Sequence, residues 1–165
     1  MIQIIKPEEK YIQSYWETFG TICKEGIYLG ALEPFPLEST IEFVKDNIAK
    51  NVPMLFVIDT MLDRCVGWCD AIPKTETVGY LGTGLLSEYR ELGLGKKLIT
   101  EIIELSKAYG YHQIDLEVRS ANVRAIHVYT QLGFRTTSII KGGFVLTDDA
   151  TPEDLVQMSL SLSYR

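Results

Sequence analysis

Residues Leu85 to Lys97 read Leu-Leu-Ser-Glu-Tyr-Arg-Glu-Leu-Gly-Leu-Gly-Lys-Lys: the end of a strand pattern, a short loop with two glycines, and the start of a helix pattern. The first amides of a helix have no internal partners and point beyond its N-terminus. The helix dipole adds positive potential there, and glycines let anionic oxygens approach the backbone. Arg90, Lys96 and Lys97 bring formal charge to the same point. Such a turn suits a diphosphate. A Walker A loop, however, needs a glycine where Arg90 stands and a Ser or Thr after Lys96. A dinucleotide fingerprint needs Gly or Ala where Leu98 stands, although Asp115 falls about twenty residues on, where that motif wants an acid. A Gly-x-Gly at a helix start is also often a tight turn and nothing more.

The elements that must position this turn follow from pattern. Ile2–Ile5 reads as a short strand. Pro7-Glu8-Glu9 reads as the first turn of a helix reaching Gly26, with Pro at a tolerated position and acids at the positive end. A loop from Gly30 to Pro36 leads to helix spacing over Leu37 to Lys50, at Ile41, Val44 and Ile48 with Phe43 beside them. Met54–Asp59, Cys65–Ala71 and Thr77–Leu86 are strand candidates, the last rich in glycine (Gly79, Gly82, Gly84). Gly93 to Tyr109 is amphipathic through Leu94, Leu98, Ile99, Ile102 and Leu105, and Gly110 stops it. From His112 to Val118 the alternation puts Ile114, Leu116 and Val118 on one face and Asp115, Glu117 and Arg119 on the other. Asn122 caps a helix to Leu132, which Gly133 ends. Phe134–Lys141 and Leu155–Leu162 close the chain as strands. Helices alternating with strand groups predict an α/β fold with a mixed central sheet of about six or seven strands flanked by about four helices.

Spacing narrows the readings of the turn. Arg90-x-x-Gly93-x-Gly95 resembles the Q/R-x-x-G-x-G/A motif of the GNAT superfamily of acetyl-CoA-dependent N-acetyltransferases. One strand later, Leu116-Glu117-Val118-Arg119-Ser120-Ala121-Asn122, Ala125-Ile126, Tyr129 and Gly133-Phe134 resemble that family's second signature, in the family's order. The Leu-Glu-Val-Arg-x-x-Asn wording and the closing Glu153-Asp154…Met158 are similar to the RimI-type protein N-terminal acetyltransferases; the first half, with Pro34-Phe35-Pro36, is not obviously so.

The resemblance implies acetyl transfer from acetyl-CoA to a primary amine by direct attack. It places the diphosphate on Arg90, Glu91, Leu92, Gly93, Leu94, Gly95 and Lys96, and the pantetheine arm along Thr83, Gly84 and Leu85 as an added strand would lie. Gly82 and Gly84 suit a bulge or splay that frees those amides. A backbone N–H near Leu86 is the expected oxyanion donor. Tyr129 matches the family's acid for the leaving thiolate, and Asn122 matches the residue that bonds the pantetheine region; Tyr129 taken alone reads equally as a packed aromatic. Glu117 matches the RimI-type base by position, with Glu76, Glu88 or a water relay as alternatives. Arg119 and Arg124 are within reach of phosphates or are solvated surface charges; His127 has no use in the family. The family's acceptor pocket implies the Tyr28–Pro36 and Lys141–Pro152 loops, with Tyr28, Glu33, Phe35, Asp148 and Asp149 available to attract a cationic amine.

Composition sets outer bounds. With 165 residues, 46% apolar and 23% charged, the chain is expected to form one domain over residues 1–165 and not a disordered or fibrous polymer. Acidic residues exceed basic ones, 22 against 16, for a net charge of −6, which disfavours nucleic acid as a partner. No apolar run has membrane-span length, and the start has no signal-peptide pattern, so a cytoplasmic protein is expected. Cys23, Cys65 and Cys69 are expected to be reduced and structural; Cys65 and Cys69 share a strand face by even spacing, and no metal set accompanies them. The expected partners are acetyl-CoA and an amine acceptor, without membrane or metal, and a homodimer is compatible. A CoA-binding sensor without catalysis is the rival class; the retained Tyr129 and Asn122 favour the enzyme.

Overall fold

The computed structural model describes residues 1–26, 29 and 32–162. Seven strands form one mixed sheet in the order β1-β2-β3-β4-β5-β7-β6. They are β1 (Ile2–Ile5), β2 (Met54–Asp59), β3 (Arg64–Pro73), β4 (Val78–Leu85), β5 (Gln113–Arg119), β6 (Arg135–Phe144) and β7 (Glu153–Ser161). Among the described residues, four α-helices flank it: α1 (Ile12–Glu25), α2 (Leu37–Ala49), α3 (Leu94–Tyr109) and α4 (Val123–Gln131). Among the described residues, no helix is long and apolar enough to cross a membrane.

Alternation along the strands feeds a core on each face of the sheet. On one face Leu81, Leu98, Ile102, Ile114, Leu116 and Tyr129 pack together. On the other, Tyr15 and Ile22 of α1 and Val44 of α2 pack on Phe56, Ile58 and Trp68. Helix ends follow local rules: Gly26 and Gly110 take the left-handed conformation that stops α1 and α3.

Two expectations about the first half are corrected. Pro7-Glu8-Glu9 does not open the long helix; a single 3-10 turn at Glu9–Tyr11 intervenes, and α1 begins at Ile12. Cys65 and Cys69 do not share a face. Val57 pairs with Gly67 but Ile58 pairs with Cys65, so Val66 is an extra residue in β3. That bulge inverts the alternation: Cys65 packs with Trp68 on the α1 side and Cys69 with Ala71 on the α3 side. All three cysteines are free and buried. In α2 the buried stripe is Thr40, Val44 and Asn47, while Phe43 and Ile48 stay exposed.

The sheet is continuous except at its centre. β4 and β5, the one parallel pair among the described strands, are joined only at Val78–Tyr80 with Gln113–Asp115 and then diverge. β4 nonetheless stays in register with β3 from Gly79 to Leu85, so the glycine-rich strand splays without a bulge of its own.

Candidate active site

The divergence opens a cleft of about 400 Å³ lined by Leu81 to Leu85 of β4, Glu117 to Arg119 of β5, Gly95 and Ile99 of α3, and Asn122, Ala125, Val128 and Tyr129 around α4. The Leu86 N–H donates to Val66 O at 3.0 Å, so Leu86 turns its main chain toward β3. Main-chain groups of successive residues point to opposite sides of a strand. Gly84 therefore also turns toward β3, whereas Leu81, Thr83 and Leu85 turn toward the cleft. The expected oxyanion donor near Leu86 is corrected on this ground: its N–H already has a partner, and the cleft-facing amides nearest the strand end belong to Thr83 and Leu85.

At one end of the cleft lies the glycine turn. Tyr89 donates to Asp59 Oδ2 at 2.5 Å, which fastens the turn to the end of β2. Glu91 and Gly93 have φ of 64° and 78°, and α3 starts at Leu94 with no side-chain cap on its first amides. A Cβ built on Gly93 or Gly95 meets nothing within 4 Å, so an anion can approach this backbone from solvent. The backbone therefore fits a diphosphate. Glu91, Leu92, Gly93 and Lys96 are exposed and Leu94 is half-buried; of the turn's residues only Arg90 and Gly95 line the cleft itself.

The charged side chains have protein partners of their own. Arg90 Nε donates to Leu85 O at 3.0 Å, and its Nη2 pairs with Glu25 at 2.9 Å; it braces the turn against α1. Arg124 is paired with Glu91. Arg119 is corrected as a phosphate contact: it is buried, bonded to Glu153, and its Nη1 donates to Gly26 O at 2.8 Å. Its guanidinium lies 4.5 Å from the centroid of the Phe144 ring. The sequence shows these charges but not the partners that hold them.

Asn122 caps α4, its Oδ1 accepting from the Ala125 N–H at 3.3 Å, and its side-chain NH₂ remains a donor at the cleft wall. Two turns on, Tyr129 is buried against Phe134 and lines the cleft. Burial pushes its phenol well above the ordinary tyrosine value, and Cys69 and Tyr80 act in the same direction. It stays protonated at neutral pH, as an acid must before it donates.

Glu117 is exposed at the other mouth of the cleft, accepting from Tyr80 Oη at 3.0 Å and from Gln157 Nε2 at 3.2 Å. Burial, then the Glu117 hydrogen bond, pushes the Tyr80 phenol up to about 12. Glu76 and Glu88 lie outside the lining, in exposed segments at either end of β4. His127, Glu33, Asp148 and Asp149 are exposed, as is Phe35; Tyr28 lies outside the described residues. Among the described residues, no group of three or more His, Cys, Asp or Glu is arranged to hold a metal ion.

One residue escaped the sequence reading. Asp70 of β3 is 6% exposed, and burial pushes its carboxyl up to about 7 against the lowering effect of the Gly82 N–H. The available signal was a lone carboxylate inside the apolar run Cys65 to Ile72.

The model of the acetyltransferase (GNAT) family matches residues 10–134. A ribosomal-protein alanine N-acetyltransferase of Escherichia coli is 34% identical over 76 residues, 46% of this chain and 50% of the relative. The chain thus spans about half the length of the curated relatives it matches first. An N-alpha-acetyltransferase of Saccharolobus solfataricus is 23% identical over 139 residues, 69% of this chain and 83% of the relative. A phosphinothricin acetyltransferase from Sinorhizobium meliloti, solved with acetyl-CoA, superposes with a TM-score of 0.87 at 17% identity, covering 98% of this chain and 88% of that one; at that identity the likeness concerns the fold.

Proposed function

Because the chain belongs to the acetyltransferase (GNAT) family, we propose that it transfers an acetyl group from acetyl-CoA to a primary amine by direct attack in a ternary complex. The observation that carries this reading is the cleft between the diverging β4 and β5, with an uncapped, open helix start at one end and a buried tyrosine in its wall. On this reading residues 1–165 act as one catalytic domain.

Bound acetyl-CoA supplies a thioester carbonyl and departs as a thiol. The amides of Leu94, Gly95 and Lys96 hold its diphosphate, aided by the turn through Arg90, Glu91, Leu92 and Gly93. Main-chain groups of Thr83 and Leu85 hold its amide-bearing arm beside Gly84, with the Asn122 amide facing them. Tyr129 donates a proton to the leaving sulfur, whose thiol pKa is roughly 8.5 by analogy with cysteine. Glu117 stands on the opposite side of β5 from the core, with Tyr80 and Gln157 orienting its carboxylate, and accepts protons from the acceptor side.

A RimI-like acetylation of a protein N-terminus is the second reading, favoured by the 34% identity over 76 residues and by the wording around Glu117 and Asn122. Mixing the protein with acetyl-CoA and a panel of amines and N-terminal peptides, then following free thiol, tests both. Thiol release with an amine or peptide supports the enzyme; tight CoA binding with no release from any acceptor supports the sensor instead.

A further inference from the structure

On the opposite face of β4 from α3 lies a second cavity of about 410 Å³. Its walls include Tyr15, Trp16 and Phe19 of α1, Phe43 of α2, Phe35 and Trp68. The rings are in mutual contact: Tyr15 and Phe19 lie 5.6 Å and 5.1 Å from Trp68 between centroids, and Trp16 Nε1 donates to Phe35 O at 2.7 Å. Asp70 is the one charged residue among the described residues of this lining, and residues 27–31, which follow α1 in sequence, carry no charge. The cavity and the cofactor cleft share Gly82, Thr83 and Leu29.

We propose, resting on the transferase reading, that this cavity is its acceptor subsite, that the substrate is a primary amine carrying an aromatic or branched apolar group, and that Asp70 receives the ammonium. Aromatic walls around one carboxylate suit a single cation with an apolar body. A polyamine needs several anions, and a free amino acid needs a cation for its carboxylate; the lining offers neither. The proton step balances simply: an ammonium N–H bond breaks, an O–H bond forms on Asp70, and a neutral amine and a neutral carboxylic acid remain. Glu117 is left to take the proton shed after attack. Asp70 itself helps to raise the ionisable groups around it, Tyr15 from α1, Cys69 beside it in β3 and Tyr111 ahead of β5. Burial raises all three, so they stay neutral as Asp70 titrates. From α2 the lining receives Ser39, Thr40 and Phe43, none of them charged.

Trp16 and Trp68 are the chain's two tryptophans, so their emission reports on this cavity directly. Titration of the full chain with 2-phenylethylamine should change that emission saturably. Affinity should strengthen as pH rises through about 7, as the Asp70 carboxylate forms. Asp70→Asn and Phe43→Ala should each weaken binding at least about tenfold, a loss of ~1.4 kcal/mol, and Asp70→Asn should flatten the pH dependence. No saturable change, equal response to spermidine or L-phenylalanine, or unaltered affinity in both variants overturns the proposal. Calorimetry with acetyl-CoA on the same samples separates the two levels: heat with acetyl-CoA but no amine response removes this subsite and leaves the family reading of the cleft standing.

Discussion

Asp70 lies against the backbone of Gly82, its Oδ1 3.3 Å from where a Cβ on that glycine would stand. The carboxylate is thus packed onto the strand whose Gly82 and Thr83 line both cavities, away from solvent, and its ionisation is coupled to folding.

The folded-state pKa of Asp70 is raised from 3.8 to about 7. A carboxyl raised in this way favours the folded state fully below its unfolded pKa, and that contribution is lost as pH rises through about 7. Asp70→Asn removes the loss. Urea denaturation should find the variant gaining on the parent from about pH 4 to about pH 8 by roughly 2–4 kcal/mol. A gap that is the same at both pH values would show that Asp70 ionises as freely in the fold as outside it.

Gly84 faces Trp68 so closely that a Cβ would stand 2.6 Å from one ring atom and 3.1 Å from Ile22. Gly84→Ala should destabilise the fold by about 1–3 kcal/mol through overpacking, visible as a lowered Tm. An unchanged Tm means that the ring moves aside without penalty.

Tyr129→Phe keeps the buried ring against Phe134 and removes only its hydroxyl. Turnover should fall about 10²-fold or more with acetyl-CoA affinity nearly unchanged. Equal losses in kcat and affinity point to packing as the role of this residue.

Gly93→Glu places a carboxylate on the open turn at a φ of 78°, where nothing lies within 4 Å to clash. The protein should fold, with a strain of about 1–2 kcal/mol, and calorimetric binding of CoA should disappear. Undiminished binding would move the diphosphate elsewhere.

The second half of the chain was readable because its rules are local. The Asn122 cap, the Gly110 stop and the alternation through Ile114, Leu116 and Val118 each depend on a few neighbouring residues, and the structure has all three. What was not readable depends on distant partners. The pairing of Arg90 with Glu25 spans 65 residues, and that of Arg119 with Gly26 spans 93; no local pattern in the sequence names either partner. The extra residue at Val66 is visible only once β3 meets β2, and it separates two cysteines that even spacing had placed together. Asp70 sits within β3, paired with Met54 on one side and Gly82 on the other, and only the packing of α1 and α2 over that face makes its surroundings a cavity instead of solvent.

The fork between β4 and β5 also determines what kind of guest the sheet can take in. On each prong only every second residue turns its main-chain donor and acceptor into the fissure, at intervals of about 6.6 Å. A flexible tail bearing peptide-like groups can zip into that fissure. If the turn ahead of α3 holds the diphosphate and the prongs hold the tail, shortening the tail should loosen a guest more than changing its base does.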